Sequence, residues 1–213
     1  MANQGPFYTL GEEIFNSVSH GVGAALGIAG CVVLVVKAAM NGTAIDVVSS
    51  AIFGASLILL YTMSTLYHSF TNPKVKHLFR IFDHCTIYIL ISGSYTPFAL
   101  VSLGGLRGWI IFGVLWGLTI LCIVLNSISL ERFSVFSMIA YIAMGWCALV
   151  FIIPISKALG LVGLLLLLLG GVSYTLGLIF FASNKKYMHS IWHLFVLAGS
   201  VLHYFCVLFY TIP

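Results

Sequence analysis

The sequence predicts an all-α, polytopic membrane protein, a seven-transmembrane-helix bundle with its N-terminus in the cytoplasm and its C-terminus outside. Of its 213 residues, 61% are hydrophobic and only 7% are charged, whereas about 25% of the residues of a soluble domain are charged. The mean hydropathy of +1.13 leaves too little polar surface for folding in water. Polar breaks also divide the chain into apolar stretches of about 20 residues, the length that spans a bilayer.

The predicted helices follow one another along the chain with short polar turns between them. Their approximate ranges are 17–37, 46–68, 83–103, 108–126, 133–153, 159–181 and 189–210. Residues that favour turns mark the breaks: Asn41-Gly42, Asn72-Pro73, Gly104-Gly105, Glu131-Arg132, Pro154 and Asn184-Lys185. We therefore expect a single seven-helix membrane domain over residues 1–213.

The positions of lysine and arginine predict the orientation of the bundle. With seven helices, one membrane face carries Lys74, Lys76, Arg80, Arg132, Lys185 and Lys186, and the other carries Lys37, Arg107 and Lys157. Cytoplasmic loops are enriched in these residues. The face with six basic residues, which also holds the N-terminus, is therefore expected to be cytoplasmic, in a multi-pass protein of the cell membrane.

The basic residues do not indicate a nucleic-acid partner, although the net charge is +4. They are scattered singly and form no basic stripe with stacking aromatic side chains between them. Membrane lipids are the expected partners instead, because the surface predicted by the composition is apolar.

Three histidines are candidate ligands of a zinc ion. His189 and His193 are four residues apart at the start of the last helix, so their imidazoles share one helix face. His68, at the end of the second helix, is expected at the same membrane edge. Three protein ligands with an open fourth position are typical of catalytic zinc. The alternative for the pair on the last helix is hydrogen bonding to neighbouring helices.

Two further residues at this edge are candidate catalytic groups. Ser64 precedes His68 by one helical turn, and Asp83 is predicted at the start of the third helix. A carboxylate there can hydrogen-bond a water molecule on the metal or act as its general base. Alternatively, Asp83 pairs with Arg80 at a helix N-terminus, where the helix dipole favours a carboxylate.

A possible secondary polar site comprises four other residues. Glu13, Asn16 and His20 form a polar stripe entering the first helix, and His203 lies deeper in the last helix on roughly the face of His189. The stripe can also be a capping and interface feature, and His203 can be a buried, hydrogen-bonded histidine.

Taken together, these spaced residues resemble the progestin and adipoQ receptor family, whose bacterial branch is the hemolysin III family. The matching patterns are Glu13-x-x-Asn16-x-x-x-His20, Ser64-x-x-x-His68 followed by Asp83, and His189-x-x-x-His193 with His203 beyond. The resemblance covers essentially the whole chain. It implies seven helices and a Zn²⁺ ion held by His68, His189 and His193. It also implies that Asp83 is hydrogen-bonded to the zinc-bound water, with Ser64 nearby.

Three functions are compatible with this resemblance. The first is zinc-dependent hydrolysis of a membrane lipid amide or ester, which would affect membrane homeostasis, because the wider superfamily includes alkaline ceramidases. The second is cytolysis, as the hemolysin name indicates. The third is a non-enzymatic, receptor-like membrane regulator in which zinc is structural.

Overall fold

The computed structural model describes residues 8–213, which are helical almost throughout and contain no β-strand. The α-helices are α1 (Leu10–Asn41), α2 (Ala44–Ser69), α3 (Pro73–Pro97), α4 (Gly105–Ile128), α5 (Ser134–Gly145), α6 (Ile152–Phe181) and α7 (Met188–Tyr210). A π-helix, Phe98–Leu103, extends α3, and a 3₁₀-helix, Cys147–Phe151, joins α5 to α6.

The distribution of side chains is that of a membrane protein. Six helical stretches of the described chain are long and apolar enough to cross a membrane, the longest being Ser134–Phe181. Large apolar side chains such as Leu26, Ile120 and Val150 are exposed, whereas polar side chains such as Ser49 and Asn126 are buried. This arrangement suits lipid as the surrounding solvent. The prediction of an all-α, multi-pass membrane protein is confirmed.

The longest helical stretch folds back on itself. Its 48 residues would measure about 72 Å as one straight helix, more than twice the roughly 30 Å of a hydrocarbon core. Gly160 interrupts it with a φ of 66° and a ψ of −177°, a conformation that favours glycine. The indole Nε1 of Trp146 donates to the Thr175 hydroxyl at 2.9 Å. The segments before and after Gly160 therefore lie side by side.

Capping residues make α1 and α3 begin several residues earlier than the hydropathy predicts. α1 begins at Leu10 rather than residue 17, because Thr9 and Glu12 form a capping box in which the Thr9 amide donates to Glu12 Oε2 at 2.9 Å. α3 begins at Pro73 rather than residue 83. The Asn72 side chain accepts from the Lys74 amide at 3.0 Å, and proline is favoured at the first helical position.

The predicted location of Asp83 at the start of the third helix was therefore wrong. Asp83 lies well inside α3 and is buried. Hydropathy locates the apolar part of a helix and does not detect polar first turns, which continue the helix beyond the hydrocarbon.

One end of the bundle, which we call the polar end, is formed by the start of α1, the turn between α2 and α3, the turn between α4 and α5, and the turn between α6 and α7. Hydrogen bonds and ion pairs join these segments. Arg80 Nη1 lies 2.8 Å from Glu131 Oε1, and Lys76 Nζ lies 2.9 Å from Glu13 Oε1. The Tyr187 amide donates to Glu12 Oε1 at 2.7 Å.

Hydrogen bonds also tie the neighbouring helices together farther along the bundle. The Tyr61 hydroxyl of α2 donates to Ser200 Oγ of α7 at 2.6 Å, and the Tyr174 hydroxyl of α6 lies 2.8 Å from the same Ser200 oxygen. At the end opposite the polar end, Lys37 Nζ donates to the backbone carbonyl of Ile212 at 2.6 Å. These contacts join α1, α2 and α6 to α7 and to the residues that follow it, away from the polar end.

Candidate metal centre

The three predicted histidine ligands converge at the polar end of the bundle. His189 Nε2 lies 3.3 Å from His68 Nε2 and 3.1 Å from His193 Nε2. Their possible ligand atoms all lie within 4.8 Å of one another, and the three residues are buried. The group can therefore hold a metal ion.

Helix geometry explains why these atoms meet. His189 and His193 are one turn apart near the start of α7, so both rings project from the same face of that helix. His68 belongs to the last turn of α2, which ends where α7 begins. One helix thus contributes two rings and its neighbour contributes the third.

The outer nitrogen of His68 is fixed by a carboxylate. His68 Nδ1 lies 2.6 Å from Glu13 Oε2, and the other carboxylate oxygen of Glu13 pairs with Lys76. Because an ionised carboxylate only accepts, Nδ1 carries the proton. His68 Nε2 is left with a free lone pair directed at the other histidines. Carboxylates commonly orient metal-binding histidines in this way.

The outer nitrogen of His193 is fixed by a hydroxyl group. Ser19 Oγ donates its single proton to the Asn16 carbonyl at 3.0 Å and lies 3.3 Å from His193 Nδ1. The serine oxygen must then accept from Nδ1, which carries the ring proton. The lone pair of His193 therefore also lies on Nε2, inside the group.

These two proton assignments make the group complementary to a cation. His189 Nε2 is close to both lone pairs but can donate a proton to at most one of them. A metal ion accepts electron pairs from all three nitrogens at once. Imidazole ligands suit zinc, copper, iron and nickel, so the residues present fit the ion that the sequence predicts.

Two aromatic rings line the histidine group. The Tyr8 ring lies 4.8 Å from the His189 ring and 5.5 Å from the His68 ring, measured between centroids. Burial raises the pKa of the Tyr8 phenol, so this group remains a hydroxyl donor at neutral pH. On the other side, the His20 ring stacks on the His193 ring with centroids 3.6 Å apart.

The predicted secondary polar site is not a separate site in the structure. Glu13 contacts His68, and His20 stacks on His193. Asn16 accepts a hydrogen bond from Ser190 of α7 through Oδ1 at 2.6 Å. The stripe on α1 therefore forms one wall of the histidine group.

His203 stands apart from that wall. Its Nε2 donates to the Leu167 carbonyl at 3.0 Å, which ties α7 to α6. This is the buried, hydrogen-bonded role that the sequence offers as the alternative for His203.

Asp83 and Ser64 lie next to the histidine group but outside it. The Asp83 side chain is buried and lines a cavity of about 100 Å³ together with His20 and Trp192. The Ser64 hydroxyl faces the Asp83 carboxyl group without a hydrogen-bond partner among the described residues. The alternative pairing of Asp83 with Arg80 was wrong, because Arg80 pairs with Glu131.

Two contributors to this site, Ser19 and Tyr8, were not predicted from the sequence. Glu13 was predicted as part of a secondary polar site, whereas the structure places it against His68. The spacing offered one usable signal for Ser19, which lies three residues after Asn16 and so on nearly the same helix face. The contacts of Ser19 and Tyr8 with the last helix had no signal in the sequence.

The contact between Glu13 and His68 leads to a testable prediction. Glu13→Gln keeps an acceptor near His68 Nδ1 but removes the negative charge, so metal affinity should fall by about 10- to 100-fold, as for other residues that orient metal-binding histidines. Metal competition titration of the purified protein would measure it. Glu131→Gln is the matched control, since Glu131 also forms an ion pair at the polar end but contacts Arg80. Equal affinities in the two variants would contradict the orienting role.

Comparison with known proteins places the chain among related sequences. A family model described as "Haemolysin-III related" matches residues 8–204. The chain is 46% identical to Hemolysin-3 of Bacillus cereus over 203 residues, which are 95% of this chain and 93% of that protein. It is 43% identical to the Hemolysin-3 homolog of Bacillus subtilis (strain 168) over 206 residues, which are 96% and 97% of the two chains. It is also 30% identical to the Homo sapiens Monocyte to macrophage differentiation factor over 171 residues, or 75% of this chain and 69% of that protein.

Proposed function

The chain belongs to the haemolysin-III related family, and from that premise we propose that it is a zinc-dependent hydrolase of a membrane lipid amide or ester. The main support for the proposal is the convergence of three imidazole nitrogens. In His68 and His193, the hydrogen bond made by the outer nitrogen Nδ1 leaves the inner nitrogen Nε2 with a free electron pair. Three protein ligands are typical of catalytic zinc, whereas structural zinc is usually enclosed by four.

Each residue of the site has a role in this proposal. His68, His189 and His193 would hold the ion. When bound, zinc polarises a substrate carbonyl and lowers the pKa of coordinated water to about 7.

Asp83 would orient the attacking water and accept its proton, and the Ser64 hydroxyl would orient the Asp83 carboxylate. Glu13 and Ser19 keep the inner nitrogens of His68 and His193 unprotonated.

The surroundings of Asp83 suit an apolar substrate. The cavity that it lines continues between apolar side chains, among them Leu90, Ile91 and Leu178. A lipid whose polar linkage lies at the histidines could place hydrocarbon there, and the same apolar walls would keep bulk water from the reacting groups.

A direct test combines metal analysis with a substrate screen. The protein, purified without chelator, should contain about one zinc per chain, and it should release a fatty acid from at least one lipid of a panel of amides and esters. Removal of the zinc should stop the release, and its return should restore it. Protein purified without stoichiometric zinc would contradict the assignment of the metal.

Cytolysis is the second candidate function, because two relatives carry the name Hemolysin-3 or Hemolysin-3 homolog. We propose that any lysis follows from altered membrane lipid. Lysis caused by hydrolysis should disappear in a variant that keeps its metal but cannot hydrolyse lipid. Lysis by a pore would persist in that variant.

We also propose seven membrane crossings, with the polar end in the cytoplasm. The reversal at Gly160 supports two crossings within Ser134–Phe181, one on either side of that glycine. The basic residues support the orientation, because Lys76, Arg80, Lys185 and Lys186 lie at the polar end.

This topology predicts where reporters and labels will be active. A reporter enzyme that works only outside the cytoplasm should be active when fused after Pro213 and silent at the N-terminus. In intact cells a membrane-impermeant maleimide should label Ser156→Cys but not Asn184→Cys, with the parent protein as the background. A silent C-terminal fusion would contradict the odd number of crossings, and the reverse labelling would invert the orientation.

A further inference from the structure

A second cavity adjoins the histidine group at the polar end, and we call it the vestibule. Its volume is about 610 Å³, within the range of roughly 300–1,000 Å³ that is usual for ligand pockets. The residues that line it include Tyr67, Arg80, Asn184, Lys185, Lys186 and His189. Because His189 belongs to both places, a molecule in the vestibule reaches the histidine group.

The charges in the wall of the vestibule favour an anion. Arg80, Lys185 and Lys186 contribute three cations, of which Arg80 also pairs with Glu131 outside the wall. Among residues 8–213, the two lysines have no carboxylate oxygen within ion-pair distance. The carboxylate in the wall belongs to Glu12, whose oxygens already accept from the amides of Thr9 and Tyr187. Positive charge in this wall therefore exceeds negative charge.

Most of the uncharged residues in the wall have a polar group that can donate a hydrogen bond. Tyr67, Tyr8 and Asn184 line the vestibule together with the three basic residues. Phosphate has several acceptor oxygens and can be held by a forked guanidinium together with ammonium and hydroxyl groups. A neutral or cationic group would leave Lys185 and Lys186 without a counterion at the edge of the membrane.

We propose that the vestibule binds the phosphate of an anionic membrane phospholipid, and that the bond the protein cleaves belongs to such a lipid. This inference rests on the proposed hydrolase function and names its substrate class. In a glycerophospholipid the ester carbonyls are only a few bonds from the phosphate. A phosphate held by Arg80, Lys185 and Lys186 would thus place an ester linkage next to His189. His189 belongs both to the vestibule and to the histidine group.

The test measures binding of a defined probe to the full-length, metal-containing protein in phosphatidylcholine nanodiscs. The probe is dihexanoyl phosphatidic acid, and inorganic phosphate is measured separately. Lys185→Gln/Lys186→Gln removes two charges from the vestibule. Its matched control, Lys74→Gln/Arg132→Gln, removes two exposed basic residues that do not line the vestibule. The vestibule variant should bind the probe roughly 10- to 30-fold more weakly, given the effect of basic residues near anionic lipid, and the control should bind it normally.

The outcomes separate this inference from simpler explanations. Equal weakening in the two double variants would show general attraction to a basic surface and overturn the proposal. Inorganic phosphate that binds as tightly as the lipid and displaces it would make free phosphate the ligand and overturn the lipid assignment. Weak binding of inorganic phosphate with selective loss in the vestibule variant would support the proposal.

Zinc content and fatty-acid release measured on the same samples separate this inference from the proposed function. Probe binding without release under any condition counts against the hydrolase alone. Release from other lipids, with no selective effect in the vestibule variant, counts against the phosphate site alone.

Discussion

His68→Ala, His189→Ala and His193→Ala are each expected to abolish stoichiometric metal binding. Each substitution removes one of three converging nitrogens and leaves two, which cannot complete a catalytic zinc site. Metal affinity should fall by more than about 100-fold, because residues that only orient a ligand already contribute about 10- to 100-fold. Elemental analysis of protein purified without chelator measures the loss, and lipid hydrolysis should disappear with the metal.

His203→Ala is the matched control for this series. His203 is also a buried histidine on α7, but its ring bonds to the Leu167 carbonyl rather than to the histidine group. This variant should keep its zinc while losing some stability, since the Leu167 carbonyl loses its donor. Retention of zinc by all three ligand variants would exclude the group as the metal site. Loss of zinc in the control as well would indicate general unfolding.

Asp83→Asn should separate an enzyme from a protein with structural zinc. The amide keeps the size of the side chain but cannot accept a proton, and all three histidines remain. Zinc should stay bound while hydrolysis falls by about 10²- to 10⁴-fold, the usual contribution of a positioned general base. The measurement pairs metal content with fatty-acid release, and lysis of cells that overproduce the variant should fall together with hydrolysis.

Asp46→Asn controls for loss of a buried carboxylate. Asp46 caps α2 by accepting from the Thr43 amide at 2.7 Å, and it lies at the start of that helix, whereas His68 lies at its end. We expect this variant to lose about 1 kcal/mol of stability, the usual value of a cap, without a change in catalysis. An Asp83→Asn protein with full zinc and unchanged hydrolysis would refute the proposed base. Loss of both metal and fold would show that Asp83 is structural and favour the non-enzymatic regulator.

The class of protein could be predicted from the sequence because it depends on composition alone. A chain with 7% charged residues has to place apolar side chains on its surface, whatever its fold. The family could also be identified, because its polar motifs recur at characteristic spacings. Helix starts were harder to predict, as α3 shows. Pro73 and the Asn72 cap begin this helix before its hydropathy rises, so Asp83 lies inside it.

The candidate ligands could be predicted for a similarly local reason. A spacing of four residues places His189 and His193 on one face of any helix, so their proximity does not depend on the neighbours of α7. The third ligand required the assumption that the end of α2 meets the start of α7. The short distance between His68 Nε2 and His189 Nε2 agrees with that assumption.

The sequence alone thus determined the membrane environment, the family and the identities of the three histidines, because composition and residue spacing are properties of the chain itself. Only the tertiary structure decided which nitrogen of His68 and of His193 faces the centre of the histidine group. That choice depends on two residues of α1. Glu13 contacts His68, which is 55 residues away in the chain, and Ser19 contacts His193, which is 174 residues away. Such contacts depend on how each helix is rotated against its neighbours, a property of packing that no local spacing specifies.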